Sequence, residues 1–139
     1  MNRIPFAPVD LWTDASYRQR RRRATYGVVM LGDGWREELN GRLRNIESPN
    51  AAEMMAIIVG LQTLVTPAYV RVYTDNGYVE CGMRTYLYAA RWDFCNGSLW
   101  KQIRALCRTH RIVCFKVQGH SGIPLNERAH TLAAQAWGL

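Results

Sequence analysis

Fifteen residues, from 51 to 65, form a segment that is apolar on almost every side, and it restricts the fold more than any other part of the sequence. A Ser-Pro-Asn start at 48–50 and the terminating Pro67 predict that the segment is a helix. Its polar side chains are Glu53, Gln62 and Thr63. A helix that has no polar face must be covered on both sides by other parts of the protein.

The segments around this helix predict a mixed sheet. Three strands joined by hairpins precede the helix, at 9–16, 24–31 and 35–46, and the glycines at 32 and 34 suit a tight turn. The later elements are a strand at 69–74, a helix that reaches Trp92, a helix from Ser98, a strand at 112–117 and a helix from Pro124. This order predicts an α/β fold whose five-stranded sheet has three antiparallel strands and then parallel ones, with helices on both faces.

Composition and charge predict a small globular protein that binds or acts on nucleic acid. The 139 residues contain no repeat, which predicts a single domain over 1–139. The sequence has no apolar run of about 20 residues and no secretory leader, so a cytoplasmic protein without a membrane helix is expected. Its 18 basic and 11 acidic residues give a net charge of +7, and sixteen of the bases are arginine. Because arginine suits phosphate oxygens, nucleic acid is the expected partner or substrate, the alternative being charge that serves solubility alone.

Three carboxylates occupy positions where acidic residues are unusual. Asp14 lies inside an otherwise apolar strand, Glu53 is the charge in the apolar helix, and Asp75 ends a strand. Each also has an ordinary structural explanation. Asp14 could bond into a following turn, Glu53 could form a capping box with Asn50, and Asp75 could cap the next helix.

Taken together, the three carboxylates suggest a metal site. If the first and fourth strands are neighbours, Asp14 and Asp75 lie close together and the start of the helix brings Glu53 over them. Three carboxylates in one pocket cannot all stay ionised without a compensating cation. Oxygen ligands favour Mg²⁺ or Mn²⁺, and a metal pair on a basic protein suits attack on a phosphodiester.

Four segments resemble signatures of the type 1 ribonuclease H family, in family order and over about residues 9–137. They are Thr13-Asp14-Ala15-Ser16, Ala52-Glu53-Met54-Met55-Ala56, Thr74-Asp75-Asn76-Gly77-Tyr78-Val79, and Gly119-His120-Ser121-Gly122 followed by Asn126-Glu127-Arg128-Ala129. The resemblance implies the ribonuclease H-like fold and an endonuclease that hydrolyses the RNA strand of RNA–DNA hybrids, leaving 5′-phosphate and 3′-hydroxyl ends.

The same resemblance assigns roles to individual residues. Asp14, Glu53 and Asp75 match the residues that hold two divalent ions, Mg²⁺ or Mn²⁺. His120 matches a loop histidine that assists proton transfer and product release. Ser48 and Asn50 match positions that contact the hybrid, where the 2′-hydroxyl distinguishes RNA from DNA.

The chain also departs from the family pattern. His130 stands where the family has a fourth carboxylate, so it is the expected fourth catalytic and metal-binding residue. A histidine nitrogen can ligate Mn²⁺ but is a poor ligand for Mg²⁺, which places the second metal site in question. An arginine run replaces the family's glycine-rich loop, while a basic protrusion after the fourth strand is shortened. The run is expected to contact phosphates through Arg18, Arg20, Arg21, Arg22 and Arg23.

The expected protein is therefore an active monomeric ribonuclease H. A catalytically weak or inactive member that binds nucleic acid is the alternative, and His130 is the residue that raises it. The third interpretation is a different nuclease of the same superfamily, such as an integrase or junction resolvase. The His120 loop disfavours it, because the resemblance places this loop in the hybrid-cleaving branch.

Overall fold

The protein is described here by a computed structural model of residues 6–139. One sheet contains its strands in the order β3-β2-β1-β4-β5. The strands are β1 (Ala7–Arg18), β2 (Arg23–Gly32), β3 (Trp35–Leu43), β4 (Ala68–Thr74) and β5 (Arg111–Lys116). The pairs β1–β2 and β2–β3 are antiparallel, while β1–β4 and β4–β5 are parallel, so the mixed sheet is confirmed. The predicted domain also includes residues 1–5, which lie outside the described residues.

Helices cover both faces of the sheet. They are α1 (Pro49–Thr63), α2 (Gly77–Thr85), α3 (Gly97–Leu106) and α4 (Pro124–Ala136). Alternation along β1 sends Val9 and Leu11 into the core under α1, whereas Trp12 packs on the opposite face with Leu125 of α4. Helix α1 contacts β1 and β2 on one side and α2 and α3 on the other, which is the cover that its apolar circumference requires.

The helix that was expected to reach Trp92 is shorter than the prediction. Helix α2 ends at Thr85, a single 3₁₀ turn covers Tyr86–Tyr88, and irregular chain leads to α3. The rings of Tyr86 and Phe94 pack with their centroids 5.2 Å apart. Eight residues of continuous helix would separate these positions by about 12 Å. Contact within the aromatic cluster around Trp100 therefore requires the chain to turn back.

The arginine run is a hairpin turn that is shorter than expected. Strands β1 and β2 remain paired up to Arg18 and Arg23, which leaves residues 19–22 as the turn. Within the turn, the backbone N–H of Arg22 donates to the carbonyl of Gln19 at 3.1 Å. Arg21 and Arg22 have φ of 73° and 51°, in the left-handed region that favours glycine.

Helix α4 lies directly against the backbone of β2. A Cβ at Gly27 would stand 2.0 Å from the carbonyl oxygen of Ala129 and 2.7 Å from the nitrogen of Ala133. The hydroxyl of Thr25 donates to the carbonyl of Ala133 at 2.7 Å, which fixes the helix on the sheet. Glycine at position 27 therefore determines how closely α4 packs on β2.

Among the described residues, no helix has the length and apolar character needed to cross a membrane.

Candidate active site

Three carboxylates meet where the parallel strands end. Asp14 lies within β1, opposite Gly27 of β2, and Asp75 directly follows β4. Glu53 projects from near the start of α1. One carboxylate oxygen from each residue lies within 4.8 Å of the other two. The sequence predicts that Asp14 and Asp75 lie close together if the first and fourth strands are neighbours, and β1 and β4 are indeed paired in parallel.

The ordinary structural explanations for these carboxylates do not hold. Asp14 is in the middle of a paired strand rather than at its end. The N-cap of α1 is Ser48, whose hydroxyl accepts from the backbone N–H of Ala51 at 3.1 Å, so no Asn50 capping box forms. The N-cap of α2 is Asn76, whose side chain accepts from the N–H of Val79 at 2.9 Å, and Asp75 is not the cap.

The electrostatics of the cluster disfavour three negative charges. Burial raises the pKa of Glu53 well above its usual value, and the charges of Asp14 and Asp75 raise it further. Burial and the Asp14 charge also raise the pKa of Asp75. The Glu53 oxygen Oε2 is buried and has no hydrogen-bond partner among the described residues. The cluster is therefore short of positive charge and has an unused acceptor.

A divalent cation would supply the positive charge that the cluster lacks. All three donor groups are carboxylates, the ligands that Mg²⁺ and Mn²⁺ prefer. An ion would compensate their mutual repulsion and give Oε2 of Glu53 a partner. The residues present are therefore suited to hold the metal that the ribonuclease H resemblance implies.

Two histidines border the carboxylates, as the sequence predicted for this pocket. The ring nitrogen Nδ1 of His130, on α4, lies 2.9 Å from Oδ2 of Asp14. The ring of His120 packs edge-on against that of His130, with centroids 5.3 Å apart. His120 is exposed and has a φ of 55° on a loop whose Gly119 lies against the Asp75 carboxylate.

Asn126 belongs to this site, although the sequence assigned it no role beyond its place in the fourth signature segment. It lies on α4, is 3% exposed, and its Oδ1 has no hydrogen-bond partner among the described residues. Its side chain contacts Asp75 and lowers the pKa that burial raises. Its position four residues before His130, on the same helix face, is the signal by which it could have been found.

The polar residues at the start of α1 have structural partners. Ser48 caps the helix, and the Asn50 side-chain oxygen accepts from the amide of Asn76 at 3.0 Å. The second contact joins α1 to the loop that carries Asp75. Ser48 and Asn50 are half-buried and remain partly open to solvent beside the cluster.

The structure separates the members of the arginine run. Arg22 forms an ion pair with Glu47 at 3.0 Å. Arg18, Arg20, Arg21 and Arg23 instead line a cavity together with Arg42, Arg44 and Trp137. The run therefore presents two environments rather than one continuous basic surface.

A family comparison decides what this site belongs to. The family model described as RNase H matches residues 7–137. The chain belongs to the ribonuclease H family. The ribonuclease H of Aeromonas hydrophila subsp. hydrophila is 37% identical over 137 residues, covering 92% of this chain and 88% of the relative. The ribonuclease H of Thiobacillus denitrificans is 34% identical over 134 residues, covering 90% of each.

Solved structures share the fold of this ribonuclease H. LC9-RNase H1, described as a type 1 RNase H with the type 2 active-site motif, matches with a TM-score of 0.80 at 21% identity, over 99% of this chain and 75% of that chain. LC11-RNase H1, isolated from compost, matches with a TM-score of 0.72 at 20% identity, over 94% of this chain and 95% of that chain. The predicted ribonuclease H-like fold is thus confirmed, as is the family assignment.

Proposed function

We propose that this ribonuclease H is a metal-dependent endonuclease that hydrolyses the RNA strand of RNA–DNA hybrids and leaves 5′-phosphate and 3′-hydroxyl ends. The observation that carries the proposal is the cluster of Asp14, Glu53 and Asp75, inside which an oxygen of Glu53 has no hydrogen-bond partner among the described residues. Membership in the family and the basic net charge of +7 support a nucleic-acid substrate.

The carboxylates are proposed to hold two divalent ions, Mg²⁺ or Mn²⁺, with His130 as the fourth member of the set. Bound divalent ions supply a nucleophile at neutral pH and stabilise the charge on the leaving oxygen. Asp14 and Glu53 are fixed by a strand and a helix, so little reorganisation accompanies binding. Asn126 positions the Asp75 carboxylate from α4.

His120 is proposed to move protons at the edge of this site. Its exposed ring lies beside His130 and its loop contacts Asp75 through Gly119. A ring nitrogen of histidine can act as a general base or, once protonated, as a general acid, so His120 could take and release a proton during one turnover. The exposed position also leaves it open to a departing product.

The hybrid is proposed to lie across the carboxylates and the neighbouring polar and basic groups. Ser48 and Asn50 would contact its backbone and minor groove, where the 2′-hydroxyl marks the RNA strand. Arg18, Arg20, Arg21 and Arg23 supply positive charge that positions phosphates without reading sequence.

Cleavage of a labelled hybrid tests the proposal. Wild-type protein is expected to cut only the RNA strand in Mg²⁺ or Mn²⁺ and to stop when the metal is chelated. Asp14→Asn is expected to abolish cleavage while the circular dichroism spectrum stays unchanged. Asp33→Asn, in the exposed β2–β3 turn, is the matched control and should cut normally. Near-native cleavage by a folded Asp14→Asn variant would contradict the assignment.

A protein that binds hybrids without cutting them is the second candidate. It is favoured by His130, a neutral or cationic group bonded to Asp14 where the family has a carboxylate. Hybrid binding by the wild type without cleavage in either metal would support this candidate. The monomeric state is proposed alongside and is tested by size-exclusion chromatography with light scattering.

A further inference from the structure

A cavity of about 210 Å³ lies beneath the β1–β2 hairpin, between the end of β3 and the end of α4. Its walls carry Arg18, Arg20, Arg21, Arg23, Arg42 and Arg44. None of the described residues that line it is acidic. Guanidinium groups repel one another, and an anion bound among them would relieve that repulsion; we call this arrangement the arginine pocket.

Internal contacts explain two of these arginines. The guanidinium carbon of Arg18 lies 3.9 Å from the centroid of the Trp137 ring. The Arg42 guanidinium donates to the carbonyls of Ala136, at 3.0 Å, and Trp137, where cations complement the end of α4.

The other four arginines of the pocket have no such explanation. Arg20, Arg21, Arg23 and Arg44 form no ion pair with any carboxylate in the described part of the chain. They therefore contribute charge to the cavity without an internal partner. The contacts of Arg18 and Arg42 fix the walls of the pocket, and the other four guanidinium groups remain available to a ligand.

The backbone of the turn strengthens this inference. Arg21 has a φ of 73° and Arg22 a φ of 51°, both in the region where glycine is less strained than any larger residue. The Arg22 side chain is accounted for by its ion pair with Glu47. The Arg21 side chain lines the pocket and forms no ion pair with a described residue, so a strained backbone position presents its guanidinium group to the pocket.

The size and position of the pocket indicate the ligand. Pockets that enclose drug-sized ligands have about 300–1,000 Å³, so 210 Å³ suits a smaller group such as a phosphate. Arg18 lies four residues beyond Asp14 on the same strand, or roughly 13 Å along it. Phosphates of one strand rise about 3.4 Å per nucleotide, so a single duplex can reach both places.

We propose that the arginine pocket binds a backbone phosphate of the nucleic-acid substrate, several nucleotides from the carboxylate cluster. This proposal rests on the proposed function, because it assigns the phosphate to the substrate. The pocket acts in positioning: it holds the duplex while the carboxylates carry out the chemistry.

Arg21→Gly and Arg22→Gly form a matched pair of variants. Each removes one positive charge and places glycine at a left-handed backbone position. Arg21→Gly, which breaks no ion pair among the described residues, should raise Tm by roughly 2–4 °C. Arg21→Gly should weaken binding of a labelled hybrid about threefold to tenfold in EDTA at low salt. It should also reduce the slope of log affinity against log salt by about 0.7–0.9. Arg22→Gly should change the slope little, because its side chain faces Glu47.

Arg44→Ala provides a second route into the pocket. It removes a cation at the β3 side and leaves the hairpin backbone untouched, so it should reproduce the binding loss of Arg21→Gly even if that variant folds poorly. Inorganic phosphate distinguishes a free anion from a nucleic-acid phosphate. A Tm increase in millimolar phosphate that Arg44→Ala abolishes, without any change in hybrid affinity, would assign the pocket to a free anion and overturn the proposal.

The remaining outcomes separate the pocket from the proposed function. If Arg21→Gly and Arg22→Gly weaken binding equally, only net charge matters and the pocket is refuted, as it is if both bind like the wild type. If the wild type fails to cleave hybrids, the proposed function fails, and the binding measurements in EDTA still decide the pocket. Normal cleavage with unchanged binding in Arg21→Gly and Arg44→Ala refutes the pocket alone.

Discussion

Replacing Gly27 with alanine should lift α4 from the sheet and disturb the site that the helix helps to build. The new Cβ would stand 2.0 Å from the carbonyl oxygen of Ala129 and 2.7 Å from the nitrogen of Ala133, an i,i+4 pair within α4. Restoring an ordinary contact of 3.4 Å requires a shift of 1.4 Å (3.4 minus 2.0) between two stretches of backbone. No side-chain rotation can relieve this contact, since every atom that the new Cβ meets is main chain.

The shift lowers the free energy of unfolding through several contributions. Overpacking a well-packed interior costs about 1–3 kcal/mol. The bond from Thr25 to Ala133, 2.7 Å in length, would stretch towards 4 Å and forfeit a further 0.5–1.5 kcal/mol or so. Alanine regains about 0.5–1 kcal/mol in a strand relative to glycine. The middle of these ranges gives a net loss of about 2 kcal/mol, or a decrease in Tm of roughly 8 °C for a domain of this size.

The same shift moves Asn126 and His130 away from the carboxylates. The 2.9 Å contact between His130 and Asp14 would open beyond hydrogen-bonding distance, so kcat should fall along with stability. Urea denaturation and hybrid cleavage on one preparation measure both effects. Gly138→Ala is the control, because its Cβ would meet only the Gln135 carbonyl at 3.5 Å. A Gly27→Ala protein as stable and active as Gly138→Ala would refute this account of how α4 is seated.

Three further predictions concern the site itself. Because burial raises the pKa of Glu53 in the folded state, the native state loses stability as the pH rises above 4.5. Glu53→Gln in EDTA should therefore resist urea better than the wild type at pH 7 and equally well at pH 4. His130→Asp should increase Mg²⁺-supported cleavage relative to that in Mn²⁺, and an unchanged metal profile would show that His130 does not act on the metal. Gly119→Ala would place a Cβ 3.0 Å from Oδ2 of Asp75 and should lower kcat, while Gly77→Ala, whose Cβ meets only a lysine side chain at 3.5 Å, should not.

Local sequence patterns determined most of the architecture. The three hairpin-joined strands, the apolar helix that follows Ser48 and the turn glycines are short-range signals, and the structure has the predicted helices and strands in the predicted order. Charge in apolar surroundings marked Asp14 and Glu53 because such residues are rarely tolerated there without a partner or a function. The single-domain prediction for 1–139 and the roles of the site residues stay predictions.

Tertiary contacts decided what local patterns could not. Whether Asp14 and Asp75 meet depends on pairing between β1 and β4, strands more than fifty residues apart in sequence. Asn126 belongs to the site because α4 packs across β1 and β2. The end of α2 at Thr85 follows from contacts among aromatic rings, which override the helical tendency of the sequence beyond it.

The arginine run shows most clearly what the sequence determines and what the tertiary structure decides. From the sequence, Arg21 and Arg22 are equivalent members of one basic segment. In the fold, Arg21 lines the arginine pocket, where none of the described lining residues is acidic, whereas Arg22 pairs with Glu47. Residue type and spacing determine which groups are available. Their partners depend on how distant segments pack, because an electrostatic interaction is set by separation in space and not along the chain.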